Sequence, residues 1–266
     1  MTRVHILQAG DPPADVMQRF GSQGLWFTQA LQPLNADTLI WRVDQDPALP
    51  PADCADPIVI TGSWCMVTDR LDWSEALAAW IRLRLRNHLP LLGICYGHQL
   101  MAHALGGVVD YHPKGRELGC LPVTLAPQAT EHPLLSDLPA QFNALLTHQQ
   151  SVLTVPDGVQ VLAGSEHDPH QILRFGPAQW SAQFHPEFSG ELLRYCIERN
   201  RATLEAEGCD VAALLAGVGD TPAARQLLWN FVAAYSPASS AGVRKNSPGV
   251  SPINSRNAAT KADILS

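Results

Sequence analysis

Cysteine 95 stands in LLGICYGHQ, between an apolar run at 89–94 and the helix-like pattern HQLMAHALGG, with glycines two positions on either side. Gly93, Cys95 and Gly97 make the frame G-x-C-x-G of a nucleophile elbow, a sharp strand-to-helix turn that presents one side chain. Backbones approach closely in such a turn and dihedrals are strained, so residues without side chains must flank the nucleophile. A helix beginning there adds unpaired N–H groups and the positive end of its dipole, and both favour thiolate over thiol. The competing reading is a small core filler, the common fate of a free cysteine after an apolar run.

A second segment, QWSAQFHPEF at 179–188, runs like a strand and ends in His185, Pro186 and Glu187. Residues two apart in extended chain point the same way, so His185 and Glu187 form a candidate pair. A histidine that acts first as base and then as acid needs a carboxylate to fix its tautomer and stabilise the imidazolium. Cys95, His185 and Glu187 together would be a triad for attack on a carbonyl carbon. Taken separately, an HPE string more often marks a turn.

These residues need elements to carry them. VHILQ at 4–8, TLIWRV at 38–43, IVIT at 58–61 and LPLLGI at 89–94 read as buried parallel strands. Residues 74–87 carry a helical pattern with Ser74 as N-cap, and the run after Cys95 is helical until Gly106 and Gly107 stop it. Between 121 and 184, short strand-like runs alternate with Pro, Gly and Asp turns, a partly antiparallel block. Helices return at about 189–206 and 222–235. The pattern predicts an α/β fold: a mostly parallel central sheet flanked by helices, with a small antiparallel β-rich section and a nucleophile elbow.

Composition removes several function classes. The 266 residues are 46% hydrophobic and 16% charged, enough for a sizeable core in residues 1–235. Residues 236–266 hold seven serines, three prolines and no aromatic residue, and read as a disordered tail. A net charge of −7 argues against a nucleic-acid groove, and no apolar run is long enough for a bilayer span. The opening residues lack the apolar stretch of a secretory signal, and six cysteines form no CxxC pair, so a cytoplasmic protein is expected. The ten histidines give no zinc spacing, so no metal is expected. Neither a G-x-x-x-x-G-K-[ST] loop nor a G-x-G-x-x-G fingerprint occurs, and no cofactor is expected. The remaining partners are small molecules or other proteins. Trp64, Trp73 and Trp80 read as packing aromatics, His148 as a strand histidine with satisfied hydrogen bonds, and Arg116 and Glu117 as solvated charges.

GICYGHQLMAHALGG and QFHPEF, in this order and about ninety residues apart, resemble the class I glutamine amidotransferases of the Cys-His-Glu type. ITGSWCMVTD, KGRELG at 114–119 and LTHQQSV at 146–152 are most similar to stand-alone proteins related to the glutaminase domain of GMP synthase, a group that the plant γ-glutamyl peptidases also resemble. The resemblance implies that Cys95 attacks the side-chain amide of glutamine, giving a γ-glutamyl thioester, with His185 protonating the leaving amine and Glu187 orienting His185. It implies an oxyanion hole from the backbone N–H groups of Tyr96 and Ser63, the latter in a loop where related glutaminases carry two successive glycines and this chain has Gly62-Ser63. Gln99, one helical turn after Cys95, would contact the substrate, and the backbone at Gln149 and Gln150 would hold its amino-acid end.

Three functions follow as alternatives. The chain is a stand-alone hydrolase of glutamine or a γ-glutamyl compound, or a glutaminase subunit that delivers ammonia to a separate synthetase, or a non-catalytic glutamine-binding protein on the same scaffold. An intact triad speaks against the last.

Overall fold

Three of the four apolar runs become strands buried on both faces, and their alternate residues serve two different cores; the run at 38–43 corrects the expectation, because it lies at the sheet edge with Leu39 and Ile40 exposed. A computed structural model describes residues 2–46 and 48–236; most of the tail expected to be disordered therefore lies outside the described residues. Its main sheet contains β1 (Arg3–Gln8), β2 (Asp37–Arg42), β3 (Ile58–Ile60), β4 (Leu91–Ile94) and β11 (Gln179–Ala182), joined by parallel pairing in the order β2-β1-β3-β4-β11. The sheet continues past β11 through antiparallel pairs to β10 (Ile172–Arg174), β9 (Gln160–Gly164), β6 (Glu117–Leu125) and β7 (Gln141–His148). Most of the antiparallel block of the sequence is thus an extension of the same sheet. A separate two-stranded sheet pairs β5 (Val108–Tyr111) with β8 (Gln150–Thr154).

On one face, Val4, Ile6, Val59, Leu92 and Ile94 pack with Phe27 of α2 (Gln23–Ala30) and Phe231 of α8 (Pro222–Tyr235). On the other, Leu7, Ile58, Ile60 and Leu91 pack with Leu77 and Ile81 of α3 (Asp72–Arg86) and Leu100 and Met101 of α4 (Tyr96–Ala104). Each such side chain removed from water contributes roughly 1.5–3 kcal/mol, which fixes the register of every parallel strand. A third cluster joins α1 (Ala14–Phe20) to α5 (Gly190–Arg199), α6 (Arg201–Ala206) and α7 (Val211–Gly217) around Trp26, Phe188 and Leu193.

Three local expectations need correction. The helical stretch at 189–206 is two helices, because Asn200 closes α5 and its side-chain amide donates to the Cys196 carbonyl instead of extending the turn. Ser74 is not an N-cap: Leu71 holds that position, and the Ser74 hydroxyl is inside the fold, 2.5 Å from the Tyr96 phenol. Helices α1 and α2 were not expected at all; α2 is apolar on several sides and carries no clear stripe.

Candidate active site

The site is built where three neighbouring parallel strands end. β3 runs into Thr61-Gly62-Ser63, β4 into Cys95, and β11 into the segment 183–188. Ile94 of β4 faces Ala182 of β11, and the Cys95 N–H continues that ladder by donating to the Ala182 carbonyl at 2.8 Å. His185 therefore lies just beyond the strand end that Cys95 is tied to.

The turn at Cys95 is the elbow read from the sequence. Cys95 has φ 49° and ψ −98°, a conformation that a residue with a side chain adopts only under constraint. Both flanking glycines are required by space. A Cβ on Gly93 would lie 2.5 Å from the Gly97 carbonyl oxygen, and one on Gly97 would lie 2.7 Å from the Ile60 carbonyl oxygen. The constraint presents the cysteine at the first turn of α4, where N–H groups lack helical partners.

His185 and Glu187 meet as their spacing suggested, although they sit after the strand and not within it. The His185 Nδ1 is 2.8 Å from Glu187 Oε1, and both side chains are buried. The imidazole stacks on the Phe188 ring with centroids 4.0 Å apart. The His185 N–H donates to the Leu145 carbonyl at 2.9 Å, and Arg225 of α8 donates to the carbonyls of Pro186 and Phe188 at 3.2 and 2.7 Å. Nothing in the sequence marked Arg225, since an arginine on an amphipathic helix reads as a solvated charge. A Cβ placed on Gly62 would lie 3.0 Å from His185 Cε1 and 3.6 Å from Cys95 Cβ, so the imidazole and the cysteine border the same point. His185 Nε2 makes no hydrogen bond among the described residues.

The charges are arranged to hold a proton on His185. Burial alone opposes a charged ring, but the Glu187 carboxylate and Cys95 outweigh it and raise the imidazole to about 10. A histidine raised in this way stabilises the fold fully below its ordinary value of 6.5 and loses that contribution as pH rises through about 10. The urea midpoint of the wild-type protein is expected to fall across that window, and the fall should shrink in His185→Gln. Identical pH profiles for the two proteins would contradict the assignment of this group.

A cavity of about 240 Å³ opens at these strand ends and is lined by the candidate catalytic, oxyanion and substrate residues of the sequence: Cys95, His185, Glu187, Ser63, Tyr96, Gln99, Gln149 and Gln150. Their side chains are not all free to face a substrate. Gln99 Nε2 donates to the Gln150 carbonyl at 2.6 Å and to Gln183 Oε1 at 3.0 Å, while Gln150 Nε2 donates to the Thr68 hydroxyl at 2.5 Å. Trp26 and Trp64 line the same cavity and meet edge to face, 6.2 Å between centroids; Trp64 is exposed at the rim. Arg116 also reaches the cavity and pairs with Glu207 at 3.2 Å. Glu117 corrects the reading of a solvated charge. It is 2% exposed and lies 2.8 Å from His148 Nε2, because β6 and β7 pair these two residues directly.

Two groups among the described residues bring three metal-ligating side chains within 4.8 Å of one another: His5, Cys54 and Asp56, and Glu117, His148 and Asp168. In the first, Trp41 Nε1–H donates to His5 Nδ1 at 2.9 Å, so a neutral ring keeps its proton on Nε2, facing Asp56 at 3.3 Å. No lone pair remains there for a cation. In the second, both nitrogens of His148 are already in hydrogen bonds, one to the Gln150 carbonyl and one to Glu117.

The family profile described as "Glutamine amidotransferase class-I" matches residues 20–202, and the chain belongs to that family. It is 36% identical over 135 residues to a glutamine-hydrolysing GMP synthase of Porphyromonas gingivalis, an alignment covering 49% of this chain and 24% of that protein. It is 29% identical over 165 residues to gamma-glutamyl peptidase 3 of Arabidopsis thaliana, covering 60% of this chain and 66% of that one. The chain thus spans about a quarter of the length of the GMP synthase it matches. The crystal structure of a glutamine amidotransferase from Thermotoga maritima superposes with a TM-score of 0.70 at 18% identity, covering 88% of this chain and 97% of that one, and shares its fold. No helix among the described residues is long and apolar enough to cross a membrane.

Proposed function

We propose that the chain hydrolyses the side-chain amide of glutamine, or a γ-glutamyl amide bond, through a thioester on Cys95. The reading rests on one observation above others: a buried imidazole, held by a carboxylate on Nδ1, whose other nitrogen is unengaged beside a cysteine in a strained elbow. In the first half-reaction the Cys95 sulfur bonds to the substrate's amide carbon. The carbonyl electrons move to oxygen, then return as the C–N bond breaks and His185 passes its proton to the leaving nitrogen. Water then gives a proton to His185 and its oxygen to the thioester carbon, releasing glutamate and restoring the sulfur. Glu187 keeps the proton on Nδ1 throughout, so that Nε2 exchanges the other. The N–H groups of Tyr96 and Ser63 are the donors available to the oxyanion, a term of roughly 3 kcal/mol per donor in comparable sites.

The GMP synthase relatives support a second form of this reading, in which the released ammonia passes to a separate synthetase. Both forms take a small-molecule substrate, and one assay separates them. Purified protein is offered glutamine, γ-glutamyl dipeptides and γ-glutamylamines, and ammonia or amine release is followed. Hydrolysis by the protein alone supports the stand-alone enzyme, and the preferred substrate names the class. Hydrolysis only with an added synthetase supports the subunit. No release in either setting, with Cys95 inert to alkylation, would remove the catalytic reading.

A further inference from the structure

Behind the cavity, one backbone carbonyl gathers an unusual share of the buried polar groups. The Gln150 carbonyl accepts from Gln99 Nε2 at 2.6 Å and lies 2.9 Å from His148 Nδ1. His148 Nε2 lies 2.8 Å from Glu117 Oε2. Both ring nitrogens thus face oxygens, the Gln150 carbonyl on one side and the Glu117 carboxylate on the other. Asp168, fully buried, places a carboxylate oxygen within 4.8 Å of this pair. Glu117 is itself fixed from two further segments: Ser165 Oγ donates to its Oε1 at 2.5 Å and Gln171 Nε2 to its Oε2 at 2.8 Å. The neighbouring Gln149 carbonyl accepts from the His112 N–H at 2.9 Å.

From this we infer that Glu117 and His148 form a buried positioning relay that sets the orientation of the Gln149–Gln150 backbone and, through the shared carbonyl, of the Gln99 side chain, and thereby sets affinity for the amino-acid end of the substrate. The inference rests on the proposed reading of the cavity as a glutamine or γ-glutamyl site. Neither residue touches the reacting atoms: His148 lines the cavity from β7, and Glu117 lies behind it on β6. With the His148 link lost, one of the three to these carbonyls, the peptide plane at 150 can rotate, and donors meant for the ligand turn away. A free-standing structural ion pair would instead affect stability alone.

The test compares His148→Leu, which removes the donor to the Gln150 carbonyl, with His148→Asn, whose side-chain amide can supply it. Binding of L-glutamine to each is measured by calorimetry in a Cys95→Ala background, so that no turnover is needed, and KM and kcat are measured with Cys95 present. His148→Leu is expected to weaken binding and raise KM about tenfold, the scale of a lost buried hydrogen bond, with kcat and the alkylation rate of Cys95 by iodoacetamide changed less than about threefold. His148→Asn should restore most of the affinity. If His148→Leu does not fold, Glu117→Ala against Glu117→Gln carries the same comparison, since only glutamine offers the ring a partner. Equal affinity in wild type and the leucine variant, or an asparagine variant as weak as leucine, overturns the relay. Intact glutamine binding without hydrolysis would overturn the catalytic reading and leave the relay standing; no binding by the unmutated cavity would overturn both.

Discussion

Cys95→Ala is expected to lower hydrolysis of glutamine or γ-glutamyl substrate by at least about 10⁴-fold, while the protein folds at least as well as wild type. Removal of a nucleophile from a covalent mechanism leaves only the acceleration supplied by binding and by the oxyanion donors. The second half follows because alanine keeps the Cβ of cysteine and so neither adds to nor relieves the strain of the turn. Cys95 occupies φ 49° and ψ −98°, and strain of this kind costs on the order of 1–3 kcal/mol. Cys95→Gly should therefore be the more informative partner variant, equally inactive but with a higher denaturation midpoint, since glycine occupies positive φ without penalty. Ammonia release and a urea titration on the three proteins measure both effects. Residual activity within tenfold of wild type would mean that the sulfur is not the nucleophile, and a glycine variant less stable than alanine would mean that the turn is not strained as described.

The second large effect is at Glu187. Replacing it with glutamine keeps the shape but offers His185 Nδ1 an amide that can donate, where the carboxylate only accepted at 2.8 Å. The imidazole then carries its proton on Nε2, the nitrogen that must receive one, and the base is presented in the wrong tautomer. A loss of about 10³-fold in kcat is expected, with KM nearly unchanged because the Glu187 carboxylate acts through His185. Steady-state kinetics at fixed pH, with limiting and with saturating substrate, would report it. A Glu187→Gln enzyme within threefold of wild type would leave the carboxylate without a role in the reaction.

What could be read from the chain follows from which interactions are local. The elbow is local: Gly93 and Gly97 are two positions from Cys95, and the clash each avoids lies within the turn or on the adjoining strand. The His185–Glu187 pair is local for the same reason. The alignment of the two segments is not, because it depends on β4 pairing with β11 across almost ninety residues, and nothing in either strand names its neighbour. The family resemblance supplied that link where physical periodicity could not. Glu117 shows the limit most clearly. A carboxylate beside an arginine in a polar stretch reads as solvated until His148, Ser165 and Gln171 are seen around it, each from a different segment. Ser74 failed differently: serine before a helical run reads as a cap, whereas here its hydroxyl is taken by a phenol from α4.

Arg225 fastens the segment carrying His185 and Glu187 to α8, and it does so from thirty-nine residues downstream of Pro186. During synthesis the cysteine, the imidazole and the carboxylate therefore all leave the ribosome before the guanidinium that holds the Pro186 and Phe188 carbonyls on either side of Glu187. The segment that places the imidazole beside Cys95 thus gains its full set of hydrogen bonds only once the last described helix has emerged and docked.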